Sequence, residues 1–127
     1  MKKILIVDDE VNNRLLLMEI LEEFKEQGVE ILLAEDGKQA LGMIISERPN
    51  LVFLDIMMPT INGYEVCNMV KKELKLPDMY IVLLTAKGQV EDKSKGRDVL
   101  CDKYITKPFY FNEVFAIAEN VLGLKIH

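Results

Sequence analysis

Apolar residues along this chain come in two alternating patterns. Short, mostly apolar runs occupy residues 4–7, 29–34 (interrupted by Glu30), 51–54 and 79–84, and a shorter, more polar strand is expected over 103–106. Between them lie longer stretches whose apolar residues recur every three or four positions. Over 12–25 these are Leu17, Ile20, Leu21 and Phe24; over 37–46 they are Ala40, Leu41, Ile44 and Ile45. Over 62–74 they are Val66, Met69, Val70 and Leu74, and over 112–122 Val114, Ile117, Ala118 and Val121. Each stretch predicts a helix with that set facing inward. Arg48-Pro49-Asn50 ends the second helix, and residues 75–78 turn the chain into the fourth strand.

Strands apolar on both faces and separated by helices predict a parallel sheet covered on each side. Five such units with right-handed crossovers predict an α/β, doubly wound sheet of order 2-1-3-4-5 with five helices. One segment fits poorly. Residues 87–98 carry only Val90 as a large apolar residue, with Gly88 and Gly96 lowering helix propensity. A short, weakly anchored fourth helix is expected there, the softest part of the domain.

Composition narrows the function. The chain has 127 residues, half of them hydrophobic, enough for one domain that folds without a disulfide or metal staple. One domain over 1–127 is expected. Sixteen Lys/Arg against twenty-one Asp/Glu give a net charge of -5, with no basic stripe to neutralise phosphates, so no direct nucleic-acid binding is expected. The only histidine is His127, the last residue, which excludes His-dependent triads and a structural zinc site. Cys67 and Cys101 lie far apart outside any CxxC and read as reduced, buried thiols. The opening run after Lys2-Lys3 stops at Asp8-Asp9-Glu10, too short for a signal peptide, and no run approaches a membrane span. A cytoplasmic location without membrane insertion is therefore expected.

The chemistry collects at the carboxyl ends of the strands, where open α/β sheets bind ligands. Asp8, Asp9 and Glu10 follow strand 1, Asp55 ends strand 3, Thr85 and Ala86 end strand 4, and Lys107-Pro108 follow strand 5. Packed carboxylates repel one another unless a cation compensates. An all-oxygen, partly open cluster suits Mg²⁺ with phosphate as a partner. A lysine can hold phosphoryl charge, and a threonine hydroxyl can donate to a phosphoryl oxygen. No GxxxxGK[ST] or GxGxxG cradles a nucleotide, so the donor must come from elsewhere and a carboxylate is the available nucleophile.

Four segments resemble the receiver domain of two-component response regulators, in order and over essentially the whole chain. They are the opening strand through Asp8-Asp9-Glu10, the stretch Leu54-Asp55-Ile56-Met57-Met58-Pro59 with Asn62-Gly63-Tyr64-Glu65, then Leu84-Thr85-Ala86, and Tyr104-Ile105-Thr106-Lys107-Pro108-Phe109. The resemblance implies a flavodoxin-like fold and a phosphoacceptor at Asp55. It implies Mg²⁺ held directly by Asp9, Asp55 and the Met57 carbonyl, with Asp8 holding a metal-bound water. Thr85 would hydrogen-bond the phosphoryl group, Lys107 would pair with it, and the Lys107–Pro108 bond would be cis. A histidine kinase or histidine phosphotransfer protein would donate from a phosphohistidine, and no small-molecule turnover would be expected. Thr85 would then shift, Tyr104 would turn inward, and the face made by the fourth helix, fifth strand and last helix would bind an effector protein.

Two departures stand out. The family usually has Gly-Ala where this chain has Leu100-Cys101, so the turn before strand 5 must differ. With the polar segment before it, this face is expected to be mobile until a partner binds, with Leu100 an exposed anchor. The second is an apolar Met57 beside the phosphoryl pocket, which should neither position nor activate a hydrolytic water. Other readings remain open. A dehalogenase-type phosphoaspartate hydrolase needs an aspartate where Met57 stands. A flavin module needs a Ser/Thr-Gly-rich loop after strand 1. A degenerate receiver would act as a phosphorylation-independent interaction module. The chain is expected to be either a stand-alone regulator or a receiver excised from a longer protein; the lack of a linker after Gly123 favours the first.

Overall fold

The structure is a computed structural model that describes residues 1–86 and 101–126. Strands β1 (Lys3–Val7), β2 (Glu30–Ala34), β3 (Leu51–Asp55), β4 (Tyr80–Thr85) and β5 (Lys103–Thr106) form one sheet in the order β2-β1-β3-β4-β5. Every neighbouring pair is parallel. Helices α1 (Val11–Ile20), α2 (Glu22–Glu26), α3 (Gly37–Glu47) and α4 (Gly63–Asn68) lie between successive strands, and α5 (Phe111–Leu122) follows β5. This is the doubly wound, flavodoxin-like order expected from the pattern. The segment 87–98 and Leu100 lie outside the described residues, and so do the expected fourth helix and the mobility assigned to that face.

Strand pleating divides the core in two. Ile4 and Ile6 of β1 join Leu17, Ile20, Phe24, Val114 and Phe115 under α1, α2 and α5. Leu5 and Val7 join Ala40, Leu41, Ile44, Val66 and Val70 under α3 and α4. The central β3 is buried at every position, which is why it reads as a continuous apolar run. The edge strand β2 is only partly covered, with Leu33 exposed.

Two expected helices differ in detail. The stretch 12–25 is broken at Leu21, where the Phe24 N–H bonds the Leu21 carbonyl three residues back. Leu17, Ile20, Leu21 and Phe24 nevertheless all stay buried. The stretch 62–74 is α-helical only to Asn68, then widens into a π turn over Met69–Glu73, closed by Leu74 N–H to the Met69 carbonyl at 2.8 Å. The extra residue in that turn rotates the positions after it, so Leu74 is exposed and Met69 half-buried. Ile45 is also exposed, because the buried stripe of α3 is Gly37, Ala40, Leu41 and Ile44 and the next position lies about 100° round the helix. On α5, Phe115 and Leu122 are buried while Val121 is half-exposed. The Phe115 ring packs on Phe24 with centroids 4.8 Å apart.

The π turn carries Lys71 inward. Its ammonium group, with a side chain 5% exposed, sits 2.9 Å from Asp102 Oδ2 and donates to the carbonyls of Pro77 and Met79. Asp102 Oδ2 also accepts the Ile81 N–H at 2.8 Å, while the Asp102 N–H donates to the Ile81 carbonyl. This ion pair ties the π turn to the residue just before β5. Cys67 is buried, Cys101 is half-buried, and both are free thiols. Burial, reinforced by Cys101, pushes the Cys67 thiol up to about 12, so it is an inert core group.

Removing the partly exposed Asp102 leaves the buried Lys71 ammonium without its carboxylate. Asp102→Ala is expected to destabilise the fold by about 2 kcal/mol in urea unfolding, with Lys71→Met closer to neutral because it removes the buried charge itself. Equal losses from the two substitutions would show that the ion pair is not the operative feature.

Candidate functional site

Parallel pairing brings the strand ends level. Val7 pairs with Leu54, Asp55 with Leu84, and Thr85 with Thr106. The residues just after β1 and β5 therefore face those that end β3 and β4. Asp8 is fully buried, Asp55 is 5% exposed and Thr85 2%. Asp9 is exposed beside them. One carboxylate oxygen from each of Asp8, Asp9 and Asp55 lies within 4.8 Å of the others. Lys107 reaches in from the far side, with Nζ 3.2 Å from Asp8 Oδ2 and 3.4 Å from Asp55 Oδ1. The Lys107 N–H donates to the Thr85 carbonyl at 2.7 Å, and the Lys107–Pro108 peptide is cis.

Local structure holds each carboxylate in place. The Asp8 N–H continues the β ladder by donating to the Ala34 carbonyl. Asp8 Oδ1 accepts the Glu10 N–H at 3.0 Å, which orients the carboxylate. The Arg14 guanidinium, from the first turns of α1, donates to the Asp8 carbonyl at 2.7 Å and pairs with Glu35. Beyond Asp55 the chain makes a loop closed at its base by the Gly63 N–H donating to the Ile56 carbonyl at 2.9 Å. A Cβ on Gly63 would lie 2.6 Å from the Asp55 carbonyl oxygen, so only glycine lets α4 start this close to the site. The helix start is secured by a capping box, in which Asn62 Oδ1 accepts from the Glu65 N–H and Glu65 Oε1 accepts from the Asn62 N–H.

Charge is the dominant feature. Burial pushes the Asp55 carboxyl up to about 6, and the neighbouring Asp8 charge adds to this against the pull of Lys107. Burial alone would lower Lys107, but Asp55 and then Asp8 outweigh it, and its pKa is raised. The two groups are thus poised against each other. Asp8 Oδ2 is buried and has Lys107 as an ionic neighbour but no aligned hydrogen bond. A hard cation with oxygen ligands fits that unsatisfied oxygen and the surplus of negative charge.

The sequence-predicted residues Asp8, Asp9, Asp55, Thr85 and Lys107 meet at this one edge. The Met57 side chain points to solvent, 62% exposed, in the loop next to Asp55. Tyr104 lies on β5, with its ring packed among the core residues under α3 and α4. Its hydroxyl is buried, and burial, with Cys101 next, raises its pKa. Arg14 and the Asn62–Glu65 box were not singled out from the sequence. The Asn-x-x-Glu spacing was a usable signal for the box, whereas nothing in the local pattern marks Arg14.

The sheet order and the acidic edge define a doubly wound α/β domain with a cation-type site at its topological switch point. A family model described as the response regulator receiver domain matches residues 4–119, and the chain belongs to that family. Receiver domains are signalling modules of two-component systems that bind Mg²⁺ at an acidic pocket and interact with histidine kinases and effector domains. A relative from Cyanophora paradoxa, named a probable transcriptional regulator (ycf27), is 42% identical over 95% of this chain and 48% of its own length. The chain spans about half the length of the curated relatives it matches. Among solved structures, the receiver domain of NtrX from Brucella abortus is 33% identical with a TM-score of 0.79, covering 96% of this chain and 99% of that one. The chemotaxis response regulator CheY4 of Vibrio cholerae is 27% identical with a TM-score of 0.82, covering 95% and 98%. Among the described residues no helix is long and apolar enough to cross a membrane.

The raised Asp55 pKa has a definite consequence for stability. With a carboxyl near 6 in the fold against 3.8 in the free group, folding takes up a proton between those values. Its destabilising effect is absent below about pH 4 and complete above about pH 6. In EDTA at pH 7.5, Asp55→Asn is therefore expected to raise stability by about 3 kcal/mol, and to flatten the loss of stability between pH 4 and 7. Thermal melts across that range check this; a lower Tm for the variant at pH 7.5 would contradict it.

Proposed function

We propose that this chain is a phosphoacceptor response regulator in which Asp55 takes a phosphoryl group from a phosphohistidine. The observation that carries the reading is Lys107 lying 3.2 and 3.4 Å from Asp8 and Asp55, with Thr85 on the adjacent strand end. Asp9, Asp55 and the Met57 carbonyl would hold Mg²⁺ directly, and Asp8 would hold a water on it. When bound, Mg²⁺ neutralises carboxylate and phosphoryl charge. A carboxylate oxygen of Asp55 attacks phosphorus in line, the P–N bond to the partner imidazole breaks, and an acyl phosphate forms. Lys107 offsets charge on the transferring group, and the Thr85 hydroxyl donates to one of its oxygens. The chain therefore turns over only its own phosphoryl group.

The histidine kinase or phosphotransfer partner must bring its imidazole to Asp55. Exposed Val11, Leu15 and Leu16 on α1, with Tyr110 and Phe111 at the start of α5, offer apolar contact to it. The acyl phosphate adds up to about two negative charges beside Thr85. Thr85 moves toward them, Tyr104 is held inward, and the surface carrying β5 and α5 is presented to an effector protein. We read 1–127 as one receiver domain, of which the family model matches 4–119, and a cytoplasmic setting is consistent with two cysteines outside any disulfide.

Intact mass after incubation with Mg²⁺ and a small phosphodonor such as an acyl phosphate tests the reading. A phosphate-sized increment is expected in the wild type and in the surface variant Asp78→Asn, and is lost in Asp55→Asn. No increment in the wild type with Mg²⁺ present would point instead to a phosphorylation-independent interaction module.

A further inference from the structure

Thr60 is the outlier of the loop that carries Met57. It is a β-branched residue at φ 70, a left-handed backbone that such side chains rarely adopt. The two other non-glycine residues with positive φ among those described, Arg48 and Lys75, are unbranched at Cβ and sit at the far end of the sheet, before β3 and β4. Thr60 therefore holds a costly conformation in the loop that follows Asp55, and strain of this kind persists only where the surroundings hold it.

Four contacts hold it, the most local being the Ile61 N–H donating to the Pro59 carbonyl at 3.0 Å across Thr60. The Thr60 hydroxyl oxygen accepts the Lys38 N–H at 3.2 Å, filling one of the unpaired donors in the first turn of α3. The Ile61 carbonyl packs directly on Gly37, where any side chain would collide. At the base, the Gly63 N–H closes the loop on the Ile56 carbonyl. Base and tip are anchored separately, and Met57 lies between them with its side chain in solvent. Its backbone is thus fixed by the two anchors and not by packing of its own side chain.

We propose that Thr60 is a positioning residue for the metal site. Its hydroxyl latches the tip of the 56–62 loop to α3 and so presets the Met57 carbonyl for a divalent cation. This rests on the reading of Met57 as a metal ligand. Without the latch the loop keeps its base, but its tip keeps only the Ile61 packing on Gly37 and the Pro59–Ile61 bond, and cation binding must order more of it. A preorganised ligand is lost, while the carboxylates are untouched.

Isothermal titration of Mg²⁺ into the purified, unphosphorylated protein separates this from a purely structural role, with Tm in EDTA measured alongside. Thr60→Val keeps the shape and removes the acceptor; it should weaken Mg²⁺ about three- to tenfold. Thr60→Gly relieves the backbone and also loses the latch; it should leave the EDTA Tm unchanged or higher while weakening Mg²⁺ to the same degree. Thr60→Ser should stay within about twofold of wild type. A wild type that binds Mg²⁺ while Thr60→Val and Thr60→Gly bind it equally well would overturn this proposal and leave the assigned function intact. A wild type that takes no Mg²⁺ would overturn both.

Discussion

The uncompensated repulsion among Asp8, Asp9 and Asp55 is the constraint around which the rest of the site is arranged. Three carboxylates gather where two are largely or wholly removed from water, and one lysine faces them. One positive charge cannot neutralise three negative ones, and the Asp55 pKa is raised first by burial and then by the Asp8 charge, against the pull of Lys107. A fold tolerates such a cluster only if the surrounding backbone is stiff enough to hold it. Here that stiffness comes from a central strand buried along its whole length and from a glycine that lets α4 begin against the Asp55 carbonyl.

The same frustration explains the chemistry. A site short of positive charge favours a divalent cation, and under the proposed function that cation would let it take a phosphoryl group it would otherwise repel. Lys107 is shared between Asp8 and Asp55 and so can turn to a new anion without leaving either carboxylate far behind. The fold adds a mechanical route outward. Lys107 is tied through its N–H to the Thr85 carbonyl, and Tyr104 lies three residues before it on the same strand. The other end of β5 is clamped by the Asp102–Lys71 pair, so a change at Thr85 falls on a strand fixed at its start.

Much of this was legible in the sequence because it depends on periodicity and on strand ends. The short, mostly apolar runs mark the strands, their continuity marks a sheet covered on both faces, and the parallel order then places Asp8, Asp55, Thr85 and Lys107 together. What periodicity misses is geometry that adds or removes a residue per turn. The π turn at Met69–Glu73 exposes Leu74 and buries Lys71, and no propensity distinguishes it from regular helix. The break at Leu21 is equally silent. Arg14 was missed because its role is to bond a backbone carbonyl, which leaves no pattern. The strained Thr60 was missed because a threonine in a loop is ordinary until its φ is known.

A carbon-detected NMR titration of the Asp55 carboxyl, with and without Mg²⁺, tests the central claim most directly. Burial together with the Asp8 charge predicts a pKa near 6 in EDTA, and a divalent cation should displace it well downward. An ordinary carboxyl value in EDTA, unmoved by Mg²⁺, would contradict the account.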